Sequence, residues 1–209
     1  MEWWLFKIIK NMNTKTMAPI ALYDWYEKGL YACRSNNFIY AENAFNKAIE
    51  SSPQNANTYY WRAFVHKRTN NYEKAIEDYN RAIEISPHTS RFHIKRGNAY
   101  CKLKQYQLAI KDFTKVIRME PANAEARFDR AITYMQMGEY QLAVDDYDSF
   151  ISLKPDYADA YTYRGISYYY QGKHSLCYRD ALRASKLGND ELLEIFKEDM
   201  TPLWFYNTI

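Results

Sequence analysis

Glycine is scarce in this sequence, with 6 among 209 residues. Few positions can take a left-handed backbone without steric cost, which argues against a loop-rich or sheet-rich chain and for long helices. Cysteine is scarcer still. Cys33, Cys101 and Cys177 stand far apart with no CxxC pair, and an odd, widely spaced set reads as reduced thiols in a cytosol-like compartment, not as a disulfide framework. Long apolar runs are missing as well. No stretch of about 20 apolar residues occurs, so nothing in the sequence reads as a membrane span. The opening residues, Met1-Glu2-Trp3-Trp4-Leu5-Phe6-Lys7, carry neither the basic start nor the small-residue cleavage site of a secretory signal. The expected localisation is therefore cytoplasmic. Charge of one sign is also lacking. A formal net charge of +3 falls short of a nucleic-acid footprint.

The motifs of catalysis are absent too. There is no HExxH, no Cys/His cluster and no Gly-rich phosphate loop. The expectation is a chain that is not an enzyme and that holds no metal and no cofactor.

What the sequence has is periodicity. Pro53, Pro87, Pro121 and Pro155 follow one another at intervals of 34 residues, and a period of this length is the signature of a repeat architecture. Taking each proline as position 32 divides the chain into 22–55, 56–89, 90–123 and 124–157, with a degenerate fifth unit at 158–191 that lacks its proline. Other columns keep the same phase. Position 8 is always small: Gly29, Ala63, Gly97, Ala131 and Gly165. Position 20 reads Ala41, Ala75, Ala109, Ala143 and Cys177, and position 17 reads Phe38, Tyr72, Tyr106, Tyr140 and His174. Position 24 reads Phe45, Tyr79, Phe113, Tyr147 and Ala181, and position 27 reads Ala48, Ala82, Val116, Phe150 and Ala184.

In these columns the sequence resembles the tetratricopeptide repeat family, over roughly residues 22–191. The resemblance implies an all-α fold, a right-handed superhelix (α-solenoid) of about five antiparallel helix-turn-helix repeats. The physical reading agrees. Small residues at positions 8 and 20 let the two helices of a hairpin approach closely, and positions 17, 24 and 27 fill the space between hairpins. Proline at 32 stops the second helix, because it has no N–H and disfavours helix in the residue before it. One hairpin cannot bury its apolar face alone, whereas a stack of them can. Helix A should cover about positions 1–14 and helix B about 17–30. The histidines His66, His88, His93 and His174 fall at unrelated positions and read as packing or surface residues. Cys33 and Cys101 share position 12 two repeats apart. With roughly 10 Å between helix layers that separation is about 20 Å, too far for a disulfide.

Two charged columns run together. Position 7 holds Arg62, Arg96, Arg130 and Arg164, and position 23 holds Asp78, Asp112, Asp146 and Asp180. Both vanish from the first repeat, which has Lys28 and Ala44. This co-occurrence favours an Arg–Asp ladder stitching adjacent helices, at about 0–1 kcal/mol per exposed pair, over a basic strip for phosphate or acidic ligands.

The resemblance also implies a concave groove lined by helix A positions 2, 5, 6, 9, 12 and 13. Carried over, the lining includes Tyr26, Glu27, Asn57, Tyr60, Trp61, Phe64, Lys67, Arg91, Ile94, Lys95 and Asn98, then Glu125, Phe128, Asp129, Asp159, Thr162 and Tyr163. The N-terminal half is aromatic, and aromatic side chains dominate binding hot spots. Arg91 and Lys95 make a basic step, and Glu125, Asp129 and Asp159 an acidic one. Some of these aromatics could instead fill the interior or be covered by the chain's own ends. The family's dicarboxylate clamp for chaperone tails needs Lys, Asn, Asn and two basic residues where this sequence has Tyr26, Leu30, Trp61, Arg91 and Lys95. Only the last two match, so a chaperone-tail co-factor of that kind is not expected.

The ends stand apart from the array. Residues 1–21 form an N-terminal apolar segment, whose Trp3, Trp4, Leu5, Phe6, Ile8 and Ile9 read either as a cap on the first hairpin or as a membrane-surface or partner-docking helix. Gly188 should stop the last B helix, Asn189-Asp190-Glu191 reads as an N-cap with an acidic first turn, and residues 192–209 supply a capping helix and an apolar tail through Trp204-Phe205-Tyr206. The leading expectation is a protein–protein interaction scaffold holding a peptide or helix of another protein in the groove. A structural subunit of a membrane-associated assembly, docked through its apolar termini, is the alternative. A polyanion or RNA binder using the arginine column would show a steep salt dependence. Neither the partner nor the oligomeric state can be read from the sequence.

Overall fold

The structure, a computed structural model, describes residues 25–199. The chain forms two compact units, Met1–Leu103 and Lys104–Ile209. Unit 1 contains α1 (25–34), α2 (Phe38–Ser51), α3 (Ala56–Arg68), α4 (Tyr72–Ile85) and α5 (Ser90–Lys102). Unit 2 contains α6 (Tyr106–Met119), α7 (Ala124–Gln136), α8 (Tyr140–Leu153), α9 (Ala158–Tyr170), α10 (His174–Lys186) and α11 (Glu191–Asp199). All regular structure among the described residues is helical. In unit 1, α2 packs on α3, α3 on α4 and α4 on α5. In unit 2, each helix packs on the next from α6 to α11, and α11 also touches α9.

Close approach within a hairpin rests on the small columns. Gly29 faces Phe45 so tightly that an added Cβ would lie 2.4 Å from the ring, so even alanine would force the ring to move. Ala41, Ala75, Ala109, Ala143 and Cys177 are fully buried. Phe45, Tyr79, Phe113 and Tyr147 fill the space behind them and are themselves buried. Burying one such side chain contributes about 1.5–3 kcal/mol.

The turn from helix A to helix B places a left-handed residue at position 15 every time: Asn36 (φ 55°), Asn70 (φ 61°), Lys104 (φ 57°), Gly138 (φ 78°) and Gly172 (φ 72°). Asparagine tolerates this region and glycine occupies it freely, but lysine does so under strain. The return from helix B to helix A uses a second device. After each proline, the residue six positions later donates to the proline carbonyl: Tyr59 Oη to Pro53 (3.2 Å), His93 Nε2 to Pro87 (3.0 Å), Arg127 Nη2 to Pro121 (2.9 Å) and Tyr161 Oη to Pro155 (2.8 Å). The column gives no sign in the sequence, because three different residue types share its four positions. What they have in common is a donor at the tip of a long side chain.

Gly188 (φ 94°) follows the last turn of α10. Asn189 Oδ1 then accepts from the Glu191 N–H at 3.1 Å, capping α11. Leu192 is buried, and its Cδ2 stands 2.6 Å from where a Cβ on Gly165 would sit. That glycine is what lets α11 lie against α9. The proposed N-terminal cap or docking segment and the apolar tail fall outside the described residues.

A ladder of arginines and a candidate partner-binding face

The Arg and Asp columns meet side chain to side chain. Arg62 donates from Nε and Nη2 to the two carboxylate oxygens of Asp78, at 2.9 and 2.6 Å. Arg130 does the same to Asp146, at 2.7 Å for both bonds, and Arg164 to Asp180, also at 2.7 Å. The fork of a guanidinium matches a carboxylate in this bidentate geometry. The third donor, Nη1, turns to position 25 of the preceding helix B. Arg62 reaches Asn46 (2.7 Å), Arg96 reaches Asn80 (2.7 Å), Arg130 reaches Thr114 (2.9 Å) and Arg164 reaches Asp148 (2.6 Å). Each arginine therefore joins the second helix of the preceding repeat. Position 25 carried no signal in the sequence, since it reads Asn, Asn, Thr, Asp.

The value expected for exposed pairs needs correction. The carboxylates of Asp78, Asp146 and Asp180 are only 2–6% exposed, so these pairs sit where removing one partner strands a charge. For Arg62 and Arg164, burial opposes the charge, and the hydrogen bonds and charge of Asp78 and Asp180 more than offset it. Arg130 is held charged first by its hydrogen bonds to Asp146. With Nε and both Nη atoms of Arg62, Arg130 and Arg164 directed at their own chain, these arginines offer little to a phosphate.

In unit 1 the candidate groove residues gather on α3 and α5. Tyr60 is a hub: its ring lies 5.5 Å from Trp61, 5.4 Å from Phe92 and 6.0 Å from Tyr79. Trp61 meets Phe64 edge to face at 5.5 Å. Arg91 is exposed, places its guanidinium 4.9 Å from the Tyr60 ring centre and donates to Asn57 Oδ1. Tyr26, on α1, packs against Phe45. Burial raises its hydroxyl pKa, partly countered by a hydrogen bond with Trp61 and by the charge of Arg91. Lys95 and Asn98 are half-buried on α5. Lys67, at the end of α3, is held below its ordinary value by burial and then by the positive charge of Lys95, Arg68 and Lys102. Cations and aromatic rings thus share one face. Ile94 is buried and offers this face nothing.

In unit 2, Phe128 is half-buried at the centre of a ring cluster, 4.9 Å from Phe150, 5.5 Å from Tyr157, 5.7 Å from Tyr147 and 5.9 Å from Tyr163. It is as much core as surface. Asp129 is half-buried beside Tyr147, whose hydroxyl is pushed up by burial, then by Tyr163, Asp129 and Asp146. Asp159 accepts from Asn189 Nδ2 at 2.9 Å, so the turn before α11 already engages it. Thr162, like Ile94 at the same helix position, is buried.

Among the described residues there is no cluster of His, Cys, Asp and Glu that could hold a metal, and no helix long and apolar enough to cross a membrane. The cysteines are free thiols.

Sequence profiles of the tetratricopeptide repeat match residues 56–89 and 97–165. A search of curated proteins gave no match. Solved structures of similar fold include a MamA protein, 21% identical, with a TM-score of 0.74 over 88% of this chain and 97% of that one. A MamA fragment from Desulfovibrio magneticus RS-1 is 14% identical, with a TM-score of 0.76 over 80% and 94%. YrrB, described as a TPR protein with an unusual peptide-binding site, is 19% identical, with a TM-score of 0.72 over 84% and 90%. At these identities the likeness is one of fold.

Proposed function

Because this chain belongs to the tetratricopeptide repeat family, we propose that it is a non-catalytic scaffold that holds a segment of another protein on the α3–α5 face of unit 1. The observation that carries this reading is Arg91 laid over Tyr60, beside Trp61 and Phe64. A guanidinium exposed above aromatic rings can pair with a carboxylate while the rings take an apolar side chain. Lys67, crowded by like charges, gains from an incoming anion. The partner segment is therefore acidic with an apolar or aromatic anchor, and it is not a chaperone tail. Peptide binding in a protein of the same fold supports the class of ligand. A polyanion-binding role for the arginine column is not favoured, because its donors are engaged within the chain.

Peptide selection by phage display on the full chain tests the proposal. Enriched peptides should be acidic with an aromatic or aliphatic anchor. Arg91→Glu should weaken them by about tenfold or more at an unchanged melting temperature, the loss of roughly 1.4 kcal/mol of charge pairing. Enriched peptides that are basic, or that bind the variant equally well, would sink it.

A further inference from the structure

Unit 1 carries two kinds of cation. Arg62, in the ladder, is held by Asp78 and Asn46. A second group has no such answer. Lys67 is half-buried at the end of α3, and its ammonium has no hydrogen-bond or ion-pair partner among the described residues. The charges that act on it are those of Lys95, Arg68 and Lys102, all positive. Arg68 and Lys102 likewise pair with no carboxylate among the described residues. Arg68 instead lies 5.3 Å from the Phe38 ring centre and 6.0 Å from that of Phe64. Position 13 is basic and exposed throughout this unit, as Arg34, Arg68 and Lys102, whereas it reads Gln136 and Tyr170 in the later repeats.

Helix ends explain part of this. Cations in a last turn meet the carbonyl end of a helix favourably, and Lys67, Arg68 and Lys102 stand in the last turns of α3 and α5. Lys95 does not. It sits in the middle of α5, two turns before Lys102 and on the same face. Three cations thus bear on a fourth that burial already disfavours. An excess of one sign kept beside an aromatic surface has the form of a site for a ligand of the opposite sign.

The chemistry of the donors narrows the anion. A single carboxylate suits the fork of an arginine, whereas ammonium groups bind as point charges. A phosphomonoester brings roughly two negative charges and three acceptor oxygens, enough to engage several ammonium groups together. Spacing fixes where it falls in a bound segment. Tyr60, beside the Arg91 guanidinium, and Lys67 are two turns apart on α3, about 10 Å along the axis, with Trp61 and Phe64 between them. An extended segment advances about 3.3 Å per residue. Resting on the α3–α5 face as the binding surface, we propose that Lys67, Lys95 and Lys102 form a subsite for a phosphomonoester. The partner segment is then captured in its phosphorylated form, with a carboxylate for Arg91 about three residues from the phosphorylated one.

Arrays of short synthetic peptides probed with the full chain test the inference. Each peptide carries a glutamate, an aliphatic or aromatic anchor and, about three residues from the glutamate in either direction, phosphoserine, serine or a second glutamate. Phosphoserine peptides should be retained about tenfold or more over their serine twins. Lys67→Met, which keeps an apolar stem, should abolish that preference, while Lys74→Met, at an exposed position of α4, should leave it as it is. Arg91→Glu should lower retention of both forms and leave the preference standing. Equal retention of phosphoserine and serine peptides, or a preference that survives Lys67→Met, would overturn the subsite; serine peptides that still answer to Arg91→Glu would then keep the face. A second glutamate that matches phosphoserine would replace the phosphate by paired carboxylates and so refute the proposal. Serine peptides indifferent to Arg91→Glu would sink the face itself, and the subsite with it. Tighter capture of an oligouridylate than of any phosphopeptide would hand the cluster to a nucleic-acid backbone, against the proposal. Lys67→Met relieves like-charge repulsion, so it should fold; Lys67→Gln gives the same comparison should it not.

Discussion

Arg164 grips both carboxylate oxygens of Asp180 at 2.7 Å, and Asp180 is almost wholly buried. A pair in that position contributes little over an apolar replacement, but half of it is costly to keep alone. Asp180→Ala should destabilise unit 2 by about 3–5 kcal/mol, the cost of an uncompensated buried charge. Asp148, on the same guanidinium but half-exposed, should cost less than about 1 kcal/mol as Asp148→Ala. Urea unfolding of the two variants measures the difference, and equal losses would refute the assignment.

Lys104 is the strained member of the position-15 column, with φ 57°. Lys104→Gly should stabilise the fold by about 0.5–1 kcal/mol, the left-handed penalty for a side chain less the added chain entropy of glycine. Gly138→Ala should run the other way by a similar amount, about 1 kcal/mol. Thermal melts of both variants give the signs directly.

His66 is buried with its Nε2 3.5 Å from Asp78. Burial lowers its pKa first; Asp78 and Glu42 raise it, and Arg62 and Lys74 lower it further, leaving it below the ordinary 6.5. A folded-state value below the unfolded one favours the neutral ring in the fold. The unfolded chain then takes up the proton first as pH falls through 6.5, so this contribution is complete above that pH and shrinks below it. His66→Gln should flatten the fall in stability between about pH 6.5 and pH 5. Denaturation midpoints across that range, with the same slope in both proteins, would contradict it.

Burial pushes the Cys33 thiol up to about 11 and Cys177 to about 12, the latter with help from Asp180. The thiolate is the reactive form, so neither should be alkylated by iodoacetamide at neutral pH in the native state on a timescale where denatured chain reacts fully. Mass spectrometry after a timed pulse reads this, and rapid native modification of Cys177 would be inconsistent with its packing.

The fold could be read from the sequence wherever a column demands one kind of residue. Small side chains at Gly29 and Ala41, rings at Phe45 and Tyr79, and proline at 53 and 87 each answer a single steric need, so chemical likeness exposes them. The column of Tyr59, His93, Arg127 and Tyr161 answers a need for one hydrogen bond at a fixed reach. Quite different residues meet it, and likeness hides it. Lys104 was hidden for the opposite reason: the backbone imposes its conformation, and the side chain gives no sign. The candidate face was only partly legible. Helix position alone placed Tyr60, Trp61 and Arg91 together, but it could not separate them from Ile94, which the neighbouring packing buries. Nor could it show that Phe128 is shared between surface and core.

The third donor of each arginine gives the array a direction. Arg62, Arg96, Arg130 and Arg164 each draw an acceptor from the repeat before, so a repeat carrying arginine keeps this donor engaged only behind one that offers an acceptor at position 25. In the fifth repeat that position is Leu182, which cannot accept. A duplicated copy of residues 124–157 could be spliced behind its original and find Asp148 waiting. The same copy placed behind residue 191 would meet a leucine and leave its arginine short of one partner. Leu182 thus withdraws the third acceptor from an arginine added behind it, a loss comparable to that of Asp148, less than about 1 kcal/mol.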